Sequence, residues 1–233
     1  MQILLKNQRS LLATQLVAFG STPRATFSTS AFLKWDGGVS MVQGASRGIG
    51  LEFVKQLLEK NDKGHVIATC RNPNGATGLL DLKNKFAERL DILHLDLAVE
   101  STIEASATSV REKWLFKPSH QCIWHSINPE CVATRNNIEQ MGPILVIKHI
   151  WPLLKVGGGT GTERDVAVVA NLSARVGSIG DNRLGGWHSY RSSKAALNQL
   201  TKNVSVEFAR KKDPVIILLH PGTVDTVVQA VSE

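Results

Sequence analysis

Five short apolar runs recur along the chain, at Val39–Gln43, His65–Cys70, Ile92–Leu95, Asp165–Asn171 and Val215–His220. Runs of this length, rich in Val, Ile, Leu and Ala, predict strands, because they are too short for helices and end at Gly, Asp, Asn or Pro. Between them the apolar positions fall three and four residues apart, which predicts helices beginning near Ile49, Ala76, Val99, Ile138 and Ser189. Strand and helix in alternation imply an α/β chain: a doubly wound parallel sheet covered by helices on both faces, in one domain over residues 35–233. No apolar run is long enough to span a bilayer, so no membrane association is expected.

The first predicted strand passes directly into Gly44-Ala45-Ser46-Arg47-Gly48-Ile49-Gly50, where the next helix begins. A glycine-rich turn between strand and helix suits a diphosphate. Glycines let the backbone bend and approach the ligand, and the first N–H groups of the helix face the anion. The spacing is G-x3-G-x-G rather than G-x-G-x-x-G, so the turn by itself is also compatible with a plain capping loop.

Further along stands Tyr190-Arg191-Ser192-Ser193-Lys194, a Y-x3-K pair at the start of a helical pattern. Residues four apart share a helix face, so the ammonium can favour a phenolate and help the phenol act as a proton donor. With the glycine turn upstream, the chain resembles the short-chain dehydrogenase/reductase family, and within it the branch of C-factor and sniffer-type carbonyl reductases, which carry a similar Y-R-x-S-K-A-A-L-N stretch. The resemblance runs from about Val39 to Thr226. Asp96-Leu97 stands where the family places its adenine-contacting pair, Asn171-Leu172-Ser173 closes the fourth run, and Pro221-Gly222-Thr223-Val224 follows the last.

The resemblance implies a Rossmann-type fold and a carbonyl reductase acting on a small molecule. Tyr190 would be the general acid, Lys194 would favour its phenolate and hold the ribose, and Ser173 would orient the carbonyl. Gly44, Ser46, Arg47, Gly48, Ile49, Gly50, Arg71, Asp96, Leu97, Tyr190, Lys194, Pro221, Gly222 and Val224 would bind the cofactor. Two positions depart from the family pattern: the serine expected three residues before Gly177 is Ala174, so Ser173 would serve only after a local shift, and Gln43 replaces a threonine. After the second strand an acid would select NAD, whereas this chain has Cys70-Arg71, with Arg47 in the turn. Guanidinium groups favour the 2′-phosphate of NADP(H) over NAD(H). For a complete family member the resemblance leaves room for a homo-oligomer.

Composition changes the picture at the front of the chain. The 233 residues carry a net charge of +7, but Lys6, Arg9, Arg24 and Lys34 precede the first acid, Asp36, which leaves +3 for the remainder. That excess calls for no nucleic acid. The acid-free, Ser/Thr-bearing residues 1–34 predict an organellar transit peptide, with a processing-like Arg24-Ala25-Thr26-Phe27-Ser28 that points to the mitochondrion and a plastid as the alternative. Three cysteines, Cys70, Cys122 and Cys131, form no disulfide framework.

One strand is missing. The family pattern implies a central strand ending in N-[NA]-[AS]-G between the third and fourth helices, but residues 114–140 are atypical and include Pro118 and Pro129, which suit a central strand poorly. Glu139 replaces a family Asn. His120, Cys122, His125 and Cys131 offer zinc-type donors, yet their spacing fits no usual site, so no metal is expected. Back-translation explains the region better: one nucleotide later, Trp114 to Asn137 can encode G-S-L-N-L-L-I-N-A-S-G-I-L-S-I-P-N-V-L-Q-P-E-T-T, which restores the strand and its N-A-S-G end. Val227 to Ser232, within the atypical 227–233, can likewise yield L-S-K-P-F-Q. The expectation is an alternative transcript, a mutated allele or a gene-model error of a reductase, with the fourth strand and C-terminal elements disrupted or missing. The competing expectation is a catalytically impaired isoform that binds a nucleotide or a partner.

Overall fold

The computed structural model describes residues 38–114, 135–154, 167–209 and 215–224. The leader 1–34, the aberrant stretch from 115 to 134, the four zinc-type donors and the tail 227–233 lie outside these residues.

The described residues form two compact units. The first contains β1 (Val39–Gln43), α1 (Gly48–Lys60), β2 (His65–Cys70), α2 (Thr77–Lys85), β3 (Leu90–His94) and α3 (Glu100–Trp114). Its three strands are parallel in the order β1-β2-β3, with Val39 opposite His65 and Val66 opposite Leu90. β2 is central, and Val66 to Cys70 are all buried, which explains why its sequence shows no apolar–polar alternation; Thr69, the polar residue among them, donates to the Val42 carbonyl. Val54 and Leu58 of α1 and Leu79 of α2 pack on Val66, Ala68 and Leu90. Each large side chain buried in this way contributes roughly 1.5–3 kcal/mol.

β1 and β2 match their predicted limits. β3 begins at Leu90, two residues before the expected start, because Asp91 breaks the apolar run while remaining compatible with the strand. Its carboxylate is held outside the core by Lys113 at 2.6 Å and Lys83 at 3.8 Å.

The second unit contains β4 (Val168–Leu172), α5 (His188–Ala209), β5 (Val215–Leu219) and residues 135–148 of α4 (Arg135–Leu154). β4 and β5 are parallel, with Val168 opposite Val215 and Leu172 opposite Leu219. α5 buries Ser193, Leu197, Thr201 and Val204, the three-and-four spacing of one helix face. Asn171, buried at the end of β4, donates from Nδ2 to Thr201 Oγ1 at 3.0 Å, so this polar group enters the interior with a partner. α4 starts at Arg135, three residues before the predicted Ile138, and continues through Pro143 and Pro152. Buried Ile144 to Ile147 hold it there although Pro143 lacks the N–H that a helix interior uses.

Candidate active site

In the first unit the glycine turn joins β1 to α1. Gly44 N and Ala45 N both donate to the Thr69 carbonyl at 3.0 Å, which draws the turn against the end of β2. Gly44 has φ +74° and Gly48 φ +56°, the left-handed region that favours glycine. Gly50 is required for a different reason: a Cβ there would lie 2.3 Å from the Gly44 carbonyl oxygen. Arg47 is the N-cap of α1 and makes no side-chain cap, and the first turn carries no acid. The helix start therefore presents N–H groups and the positive end of its dipole without a built-in anion, the chemistry a diphosphate uses. Ser46 and Ile49, half-buried, complete the turn.

Arg71 leaves the end of β2 exposed, as Arg47 is in the turn. Cys70, just before Arg71, is buried, and burial raises its thiol pKa above the ordinary value. The Leu95 N–H donates to the Cys70 carbonyl at 3.0 Å and carries the chain towards Asp96 and Leu97 at the same end of the sheet. The Asp96 backbone is fixed by Thr102, whose Oγ1 accepts from Asp96 N at 2.9 Å and whose single proton faces both Val99 O at 2.7 Å and Asp96 O at 3.0 Å. Asp96 Oδ1 accepts from Ala98 N at 3.0 Å, closing a local turn. No local sequence signal pairs Thr102, the third residue of α3, with a residue six positions earlier.

In the second unit Tyr190 and Lys194 lie in the first turns of α5. Lys194 Nζ is 5.7 Å from the centre of the Tyr190 ring and donates to the Leu172 carbonyl at 3.4 Å. Tyr190 is 44% exposed. Ser173 follows β4 and is only 8% exposed; its backbone N–H donates to the Leu219 carbonyl, and its hydroxyl donates to Asn198 Oδ1 at 2.5 Å. Ala174, at the position expected for the serine, has no hydroxyl to offer. Gly177 packs directly under α5, where a Cβ would meet the Lys194 carbonyl carbon at 2.8 Å. The structure thus brings Ser173 and Lys194 to the end of β4, with Tyr190 one turn from Lys194. Pro221 and Gly222, with φ +75° at the glycine, leave β5 towards Val224.

Two residues in this unit went unassigned in the sequence. Asn198 is one. Arg191 is the other: its Nε donates to the Gly185 and Gly186 carbonyls at 3.1 and 3.0 Å, and its Nη1 to the Val176 carbonyl at 3.3 Å. Both lie in the Y-R-x-S-K-A-A-L-N stretch, but their partners are brought near only by folding.

No protein-family model matches the chain. An uncharacterized oxidoreductase of Schizosaccharomyces pombe is 32% identical over 201 residues, which cover 82% of this chain and 76% of that protein. Among solved structures, an NADPH-bound carbonyl reductase from chicken fatty liver is 34% identical with a TM-score of 0.66, over 81% of this chain and 80% of its own. The carbonyl reductase Sniffer of Drosophila melanogaster is 28% identical with a TM-score of 0.68, over 83% of this chain and 84% of its own.

Proposed function

Because the chain belongs to the short-chain dehydrogenase/reductase family, we propose that it is an NADP(H)-dependent oxidoreductase that reduces the carbonyl of a small molecule. The observation that carries this reading is the pairing of Tyr190 with Lys194 one helical turn away, its ammonium anchored on the Leu172 carbonyl.

The residues present fit a dinucleotide. The uncapped start of α1 and the Cβ-free approach of Gly50 to Gly44 suit a diphosphate. Arg71 and Arg47 supply guanidinium groups for a 2′-phosphate, and Asp96 with Leu97 lies at the same end of the sheet for the adenine. NADPH supplies a hydride when bound. Tyr190 gives its phenolic proton to the carbonyl oxygen, and the Lys194 ammonium favours the phenolate left behind. Lys194 would also hold the ribose, and Pro221, Gly222 and Val224, which follow β5, would contact the cofactor. Ser173 orients the carbonyl once its hydroxyl turns from Asn198. The NADPH-bound relative supports the cofactor assignment. The aberrant frames in the residues after Trp114 and in the tail belong to the same proposal, as does delivery of the chain to the mitochondrion by residues 1–34.

The test is NADPH oxidation against a panel of aldehydes, ketones and quinones, by the chain as given and by the chain with both frames restored. Turnover that is lost in Tyr190→Phe supports the reading. A restored chain that binds NADPH and reduces no carbonyl overturns it.

A further inference from the structure

The segment before α5 holds three consecutive residues in the left-handed region: Gly185 at φ +63°, Gly186 at +70° and Trp187 at +45°. Glycine adopts this conformation without penalty, but a tryptophan is an outlier there. Trp187 is the single non-glycine residue with positive φ among the described residues. The strain persists because the segment is over-determined. Arg191 holds the Gly185 and Gly186 carbonyls with its side chain and the Trp187 carbonyl with its backbone N–H at 2.8 Å, while Gly185 N donates to Asn182 Oδ1 at 3.0 Å.

This arrangement does not bury the indole. Trp187 is 70% exposed, and with His188, Ser189 and Tyr190 it lines an open depression of about 580 Å³. A large apolar ring is thus fixed in solvent, at the expense of backbone strain, in the same depression as the candidate proton donor. Strain maintained at such a place points to function.

We infer that Trp187 is a specificity-determining residue: its indole is the platform on which the flat ring of an aryl carbonyl stacks while the carbonyl oxygen faces the Tyr190 hydroxyl. The inference rests on the proton-donor role proposed for Tyr190. An aromatic ring gains an offset-stacking or edge-to-face contact that a saturated ring of the same size lacks, which is worth about a three- to tenfold preference.

The test compares acetophenone with cyclohexyl methyl ketone, which have the same heavy-atom skeleton, using the full chain and its Trp187→Phe and Trp187→Gly variants in the presence of NADP. Binding is measured by calorimetry, and kcat/KM for both ketones with NADPH. We expect about three- to tenfold tighter binding of acetophenone in the parent chain, a preference retained in Trp187→Phe and lost in Trp187→Gly. Trp187→Gly relieves the positive φ, so its thermal midpoint should not fall below that of the parent, which separates loss of the platform from loss of the fold. A Trp187-dependent binding preference upholds the platform even where the frame-restored chain reduces no carbonyl of the aldehyde, ketone and quinone panel, the outcome that overturns the reductase reading. Reduction of both ketones with the same preference in all three proteins overturns the platform and leaves the reductase reading intact. Absence of binding by either ketone also overturns the platform.

Discussion

Lys194 Nζ stands 5.7 Å from the centre of the Tyr190 ring while donating to the carbonyl oxygen of Leu172, the last residue of β4. One contact faces the proposed acid and the other fixes the ammonium on the sheet. A positive charge so placed stabilises the phenolate that proton donation creates, more strongly where the surroundings exclude water.

Tyr190→Phe should lower kcat by about 10²–10⁴, the usual worth of general acid catalysis. Its affinity for NADPH should fall by no more than about tenfold, the worth of the one hydrogen bond its hydroxyl can give the cofactor. Single-turnover kinetics on the frame-restored chain, with NADPH binding measured alongside, checks both parts; undiminished turnover would remove Tyr190 from the chemistry.

Gly50→Ala should disrupt the nucleotide turn. Its Cβ would meet the Gly44 carbonyl oxygen at 2.3 Å, and that oxygen belongs to backbone that cannot swing aside. Overpacking of this kind costs about 1–3 kcal/mol. Denaturant unfolding should show that loss, and NADPH titration should show weakened binding; an alanine accommodated with neither change would mean that helix and turn separate freely.

Cofactor preference should follow Arg71. A charge-assisted contact to phosphate is worth about 1.5–3 kcal/mol, or roughly 10–100-fold in affinity. The parent should prefer NADPH to NADH by an amount in that range, and Arg71→Asp should erase or reverse the preference by repelling the 2′-phosphate. Equal affinities before mutation would show that the exposed guanidinium has no part in selection.

Restoring the shifted frames over Trp114 to Asn137 and over Val227 to Ser232 should raise carbonyl reduction at least about a hundredfold over the chain as given. Displacement of about 1 Å in reacting groups already costs on that order, and replacing a strand displaces more. Genomic and full-length transcript reads provide an independent check: in-frame codons differing only synonymously from relatives would remove the basis for the shift.

A reporter fused to residues 1–34 should enter mitochondria and be trimmed near Arg24-Ala25-Thr26-Phe27-Ser28. Microscopy and the terminal sequence of the recovered reporter decide between this outcome, a plastid address and an untrimmed cytosolic protein.

Local chemistry in the sequence was enough to determine the alternation of strands and helices, the glycine turn and the Tyr190–Lys194 face. Val66 to Cys70 had to be a buried strand because apolar side chains stand on both faces and Thr69 is the one polar residue among them, and Tyr190 and Lys194 had to meet because a helix places residues four apart on one side. The start of β3 was hidden because Asp91 looks like a strand breaker until Lys113 and Lys83 are brought to it from distant positions. Only the tertiary structure decided that the Ser173 hydroxyl is engaged by Asn198, that Thr102 fixes Asp96, and that Arg191 holds Trp187 in a left-handed conformation. The physical reason is the same in each case. A helix or strand is specified by neighbouring residues, whereas the partner of a hydroxyl, a carboxylate or a guanidinium is chosen by geometry that exists only once separate elements have packed.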